Sequence, residues 1–336
     1  MNFDVRLRLL AIAACCALPL AGPARADFAH GYISAALQGD ISAHVAAVDS
    51  VEAAGDSSSG AFRLAAKLRE RFIDRTETFD TDAPPFLQDL LTVYRDYWTQ
   101  VLLGNMTSEE GEEYLRGEVG DLLAQYEVPE ESDTADVFDR MGSEIERQGY
   151  YYIGGRTLPY MELMLWSNQD TTEYDVELTD KTQSATVVFL TDFASMGWAH
   201  FATFGRAYSG GWATREALFC LKDDYDLDSE KFKISYLKHE GRHFADYSIF
   251  PNLQQIDLEY RGKLTELIYA DESLMNVLKH FRGAGSPNPE SPHAYANWAV
   301  ARDLSAKLFG APLDAGDERW DTLDPEAIHA AARELL

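Results

Sequence analysis

The chain has 336 residues, is 46% hydrophobic and 12% aromatic, and carries a formal net charge of −27. That apolar content excludes a disordered polymer and is enough for a sizeable core, divided between two substructures. The negative charge argues against nucleic acid and anionic lipid as partners, and no run beyond the N-terminus is long and apolar enough to span a membrane.

Residues 1–26 have the layout of a signal peptide. Arg6 and Arg8 supply positive charge, residues 9–20 form a short apolar stretch, and Ala24-Arg25-Ala26 offers a small-residue cleavage site. Cleavage after Ala26 predicts an exported protein, periplasmic or secreted, with lipoprotein processing at Cys15 as the alternative. Cys15 and Cys16 leave with this segment, so Cys220 is the one cysteine of the mature chain and no internal disulfide forms. The apolar run around Cys220 makes it a buried structural thiol.

Residues 27–150 read as a helical N-terminal region. Phe62, Leu64, Ala65, Leu68 and Phe72 recur at helical spacing over residues 61–73. Pro84-Pro85 opens a further helix whose stripe is Leu87, Leu90, Leu91, Tyr94, Trp98 and Leu102. A third helix follows Ser108, and a fourth spans residues 137–147. From residue 151 to 227 the texture is that of strands. Residues 160–166, 173–178 and 185–190 predict three short strands, the last apolar and β-branched enough to be central. Residues 206–214 predict a strand, a glycine turn and a further strand. Residues 228–336 return to helices, with Pro251 ending one of them and residues 283–292 forming a Pro/Gly-rich loop. The fold class is thus α+β and mostly helical, with a small mixed or antiparallel sheet.

Within the last half, residues 229–247 predict one helix that carries His239-Glu240-Gly241-Arg242-His243. Residues four apart on a helix lie above one another, so His239 and His243 can aim two imidazoles at one point with Glu240 beside them. Phe232, Tyr236, His239, Glu240, His243 and Tyr247 share one helical stripe, so the polar cluster interrupts an apolar face. Polar groups placed there are expensive unless something binds them. H-E-x-x-H on a helix is the two-histidine half of a zinc peptidase site, with the glutamate as general base.

A catalytic Zn²⁺ takes three protein ligands and a water. Downstream acids are Asp246, Asp257, Glu259 and Glu266. Asp246, on the motif helix, is better placed to hydrogen-bond a ligand histidine than to reach the metal. Glu259 falls on the helix after the Pro251 turn, at the edge of the stripe Ile256, Tyr260, Leu264, Leu267 and Ile268; it is the favoured third ligand, with Asp257 and Glu266 as alternatives. His293 or Tyr295, at a helix start after the Pro/Gly-rich loop, are candidate donors to a tetrahedral oxyanion.

His239-Glu240-x-x-His243 followed by a helix with Glu259 resembles the gluzincins, zinc metallopeptidases that include thermolysin and the zinc aminopeptidases; the resemblance covers residues 210–298. It implies a zincin-like catalytic domain over residues 151–336, with the sheet packed on the motif helix. It implies His239, His243 and Glu259 as zinc ligands and Glu240 as general base. It also implies a substrate-binding edge strand upstream, a place that Gly211, Trp212 and Ala213 can fill. Where many members carry an acid one turn after the ligand glutamate, this chain has Lys263. The expected function is a zinc-dependent hydrolase acting on a peptide or protein substrate; the alternative is a gluzincin-like protein that binds peptide or metal without turnover.

Overall fold

The computed structural model describes residues 25–54, 57–79, 81–129, 136–289 and 291–336. Of the expected signal peptide, residues 1–26, positions 1–24 lie outside that set, and Arg25 and Ala26 open the first helix. The elements run α1 (Arg25–Leu37), α2 (Ser42–Ala53), α3 (Gly60–Leu68), α4 (Pro85–Leu102), α5 (Ser108–Gln125), α6 (Val137–Arg147), β1 (Tyr151–Thr157), β2 (Tyr160–Glu177) and β3 (Thr182–Met196). They continue through α7 (Gly197–Ala202), β4 (Gly211–Ala213), β5 (Leu218–Leu221), α8 (His239–Ile249), α9 (Gln255–Tyr269), α10 (Leu274–Gly283), α11 (Pro292–Phe309) and α12 (Pro325–Leu335). The fold is α+β, mostly helical, with one mixed five-stranded sheet in the order β1-β2-β3-β5-β4. No helix among the described residues is long and apolar enough to cross a membrane.

Contacts divide the described chain into two compact units, residues 25–168 with 192–208, and residues 169–191 with 209–336. The boundary expected at residue 150 differs from this division, because β1, the first half of β2 and the end of β3 join the helical unit.

The first unit is built on α4. Pro85 supplies a preset φ at the first helical position, where its missing N–H costs nothing. Leu87, Leu90, Leu91, Tyr94, Trp98 and Leu102 are all buried, as their spacing predicts. Each such side chain contributes about 1.5–3 kcal/mol of burial. Trp98 also donates its indole N–H to the carbonyl of Met161, 2.9 Å away, which fastens α4 to β2. α5 begins in a capping box, Thr107 with Glu110, that satisfies two otherwise orphaned amides. β1 and β2 form an antiparallel ladder from Tyr151 opposite Trp166 to Thr157 opposite Tyr160.

The strand pattern departs from expectation in two places. Residues 160–177 form one continuous strand where the polar run after Trp166 predicts a break. Backbone pairing, not apolar alternation, sets strand length there. Residues 206–208 are not a strand, so that stretch contributes only β4.

In the second unit β3 and β5 pair in parallel from Val187 opposite Leu218 to Leu190 opposite Leu221, and β4 pairs antiparallel with β5. Val187, Phe189, Leu218 and Cys220 pack against Phe232 and Tyr236. Cys220 is a buried free thiol, and burial pushes its pKa up to about 12. α9 runs through the middle of this unit, packed by α8, α11 and α12. Leu264, Leu267 and Ile268 bury one side of it among Leu274, Leu278, Val300, Leu304 and Ile328. Its other buried side carries Glu259, Gly262 and Glu266.

Candidate metal centre

The segment ahead of the motif is not the single α-helix its periodicity predicts. Residues Lys231–Lys238 form a π-helix that passes directly into α8 at His239. The wider turn lets Phe232 and Tyr236 stack, with ring centroids 5.6 Å apart, and lean on the sheet. From His239 onward the geometry is α-helical, so His239 and His243 stand one turn apart with ring centroids at 4.6 Å. Both are buried to 5% exposure. The two variable positions of the motif also have physical roles. A Cβ on Gly241 would stand 2.9 Å from a methyl of Val176, so glycine lets α8 pass close over β2. Arg242 is fully buried and pairs with Asp180 at 2.7 Å and with Asp246.

Asp246 therefore does not support a ligand histidine as expected. Its carboxylate is taken by Arg242 and, at 2.7 Å, by Arg261, which cross-ties α8 to α9. The acid that meets a motif histidine is Glu266, whose Oε1 lies 2.7 Å from His239 Nδ1. Glu266 was open as a third ligand from spacing alone; the fold places it behind the ring instead. Asp257 sits on the exposed side of α9.

Glu259 faces the imidazoles. Its Oε2 lies 3.3 Å from His239 Nε2. Two donors bound to one tetrahedral zinc at about 2.0–2.1 Å stand about 3.3–3.4 Å apart, a spacing that this pair matches. Glu259 Oε2 also approaches His293 Nδ1 at 2.7 Å, yet it meets neither ring in hydrogen-bonding geometry. His243 Nε2 is buried with no hydrogen-bond partner. One donor atom from each of His239, Glu240 and His243 lies within 4.8 Å of the others. Gly262 packs directly against the two rings. A Cβ there would stand 2.7 Å from His239 Nε2 and 2.8 Å from His243 Nε2.

The tautomers follow from the partners. With Nδ1–H of His239 donating to Glu266, its Nε2 presents a lone pair to the Glu259 carboxylate, which is repulsive unless a proton or a metal cation lies between. With no cation bound, a proton fills that role: burial opposes the charged ring, but Glu259 and Glu266 outweigh it and raise His239 to about 10. Burial likewise opposes ionisation of Glu259, and the neighbouring His293 and His239 overcome it, holding its pKa well below the usual range. Glu240 is held low against burial by His243, whose Nδ1 is 3.4 Å away. A proton on His239 leaves His243 Nε2 unsatisfied, at a cost of about 1–3 kcal/mol. A cation reached by both Nε2 atoms would satisfy His243 as well. The donor set, two imidazoles and a carboxylate, fits Zn²⁺ in number and type.

The other expected residues fall as follows. His293 opens α11 and is directed at Glu259, with 42% of its side chain exposed. Tyr295 packs its ring on Trp298, and no hydrogen bond or ion pair among the described residues ties it to the cluster. β4 is one of the two edge strands of the sheet and packs against α8. Trp212 in β4 is buried and stacks on Phe219, so only the strand's backbone edge is available to a ligand. Tyr247, a turn beyond His243, has its hydroxyl pKa raised by burial and then by Glu240 and Glu259.

Gly262 and the supporting role of Glu266 escape sequence reasoning, although a signal for the first exists. Glycine inside a helix costs about 1 kcal/mol against alanine and marks a close approach. Compared with protein-family models, with curated proteins and with solved structures, the chain matches none of them.

Proposed function

We propose that the chain is a zinc-dependent hydrolase, a peptidase of the gluzincin type, with His239, His243 and Glu259 as ligands. The observation that carries this is the unpartnered, buried His243 Nε2, which shares with His239 Nε2 a position that a single methyl on Gly262 would fill, with Glu259 Oε2 3.3 Å from His239 Nε2. Zinc held there supplies a Lewis acid that polarises a carbonyl and acidifies a water.

The chain's own groups do the remaining work. Glu240, kept ionised by His243, accepts a proton during attack and returns it to the leaving amine. Glu266 fixes the His239 ring so that its Nε2 faces the metal position. His293, half-exposed and within reach of the Glu259 carboxylate, is the residue best placed to donate to a developing oxyanion. The free edge of β4 offers backbone groups to an extended peptide.

The burial of both histidines and of Glu259 favours a second reading, a metal-binding protein without turnover. Purified protein reconstituted with zinc, assayed on a fluorogenic peptide library, separates the two. The hydrolase reading expects one zinc per chain and a loss of at least about 100-fold in turnover for Glu240→Gln, with zinc retained. Equal turnover in the two proteins would exclude Glu240 as base, and zinc binding with no turnover in either favours the second reading.

A further inference from the structure

A further feature lies in the first unit. There a pocket of about 270 Å³ is lined by Arg71, Arg75, Arg95, Glu77, Asp96 and Phe79 among others. Three guanidiniums against two carboxylates make it a locally basic recess in a chain whose net charge is −27.

Two irregularities of backbone place two of its arginines. Arg71 lies on a π-helical turn, Arg69–Ile73, that continues α3. Arg75, just past that turn, is held at φ 54°, a left-handed conformation unfavourable by about 1 kcal/mol or more for a non-glycine residue. Such departures persist where the surroundings enforce them, and they cluster at binding sites.

The three arginines differ in how far their donors are used. Arg71 spends its guanidinium on Glu77, with one contact at 2.6 Å, and on the carbonyl of Phe201. Arg75 reaches Asp96 at 3.2 Å, and both side chains are largely exposed. The Cζ of Arg95 lies over the Phe79 ring, 4.0 Å from its centroid, and among the described residues no carboxylate pairs with it. It is half-buried, and burial together with the nearby Arg71 disfavours its charge. A cation partly removed from water, with its planar fork free, is incomplete without an anion.

We propose that this pocket binds a small oxyanion, a carboxylate or a phosphate, through the guanidinium fork of Arg95, with Arg75 closing over it by exchanging Asp96 for the ligand. The guanidinium is planar by delocalisation, and the contact with Phe79 restricts its orientation, which suits the bidentate geometry of either group. The site is independent of the metal centre and stands whether or not the chain is a hydrolase.

The test is titration of the full chain with inorganic phosphate and, separately, with succinate, at constant ionic strength. Binding is followed by calorimetry and by the Nε–H resonance of Arg95. Saturable binding of one probe below about 1 mM is expected, weakened at least tenfold by Arg95→Gln and only partly by Arg95→Lys, which keeps charge but not the fork. The stronger probe identifies the class of ligand. If Arg95→Gln does not fold, the wild-type resonance still decides, because a bound oxyanion shifts it and a purely structural arginine stays put. Equal affinity in wild type and Arg95→Gln, an unmoved resonance, or no saturation by either probe would overturn the proposal.

Discussion

Replacing Gly262 with alanine perturbs the candidate centre without touching a ligand. The added methyl would stand 2.7 Å from His239 Nε2, 2.8 Å from His239 Cε1 and 2.8 Å from His243 Nε2. Ordinary carbon–nitrogen contact begins at roughly 3.4 Å, so both rings must withdraw by about 0.6 Å. Metal sites tolerate only about 0.2 Å in ligand distance, and neither ring can yield easily. His239 is pinned from behind by Glu266, and α8 is pinned to α9 through Arg242, Asp246 and Arg261. The stability terms oppose each other: alanine gains about 1 kcal/mol of helix propensity, while overpacking costs about 1–3 kcal/mol. Gly262→Ala should therefore fold, with stability changed by no more than about 2 kcal/mol, and lose zinc affinity by at least about 100-fold. Metal per chain by mass spectrometry and competition with a chromophoric chelator measure this, with urea denaturation as the control. A folded Gly262→Ala protein that holds one zinc at wild-type affinity would refute the geometry on which the centre rests.

Glu266→Gln removes the charge behind His239 while keeping its shape, and zinc affinity should fall about 10–100-fold; an unchanged chelator titration would show that Glu266 serves packing alone. A third prediction concerns Glu162, buried in the first unit, where burial raises its pKa to about 7 against hydrogen bonds from Thr157, Trp198 and Leu163. Because the folded value lies above the unfolded one of about 4.5, the folded state holds the extra proton between them. Stability should fall by about 3 kcal/mol as pH rises from about 4.5 to 7 and then level off. Denaturation across that range should show this component vanish in Glu162→Gln, and an identical pH profile in both proteins would exclude Glu162 as its source.

Local rules explain why much of this protein was legible from residue order. The stripe from Leu87 to Leu102 is apolar at helical spacing behind Pro85, and it folds as that pattern dictates, because an amphipathic helix has only one face to bury. The pairing of His239 with His243 follows from helix pitch alone. α9 was legible for the same reason, and Glu259 was picked out on it as the favoured third ligand; the fold brings it to 3.3 Å from His239.

What the residue order left open belongs to long-range packing. Whether 231–238 is α- or π-helical depends on how Phe232 and Tyr236 seat on the sheet, and periodicity alone cannot distinguish the two. The polar run in β2 conceals a strand that backbone pairing sustains. Asp246 and Glu266 are both acids near the motif, and only the crossing of α8 by α9 assigns one to arginines and the other to a histidine ring. The vacant Cβ of Gly262 has meaning only once two rings from another helix point at it. Chain order fixed which donors share a helix face, because pitch is a local property. Tertiary structure decided which of them converge, because convergence depends on the angle and depth at which two buried helices cross.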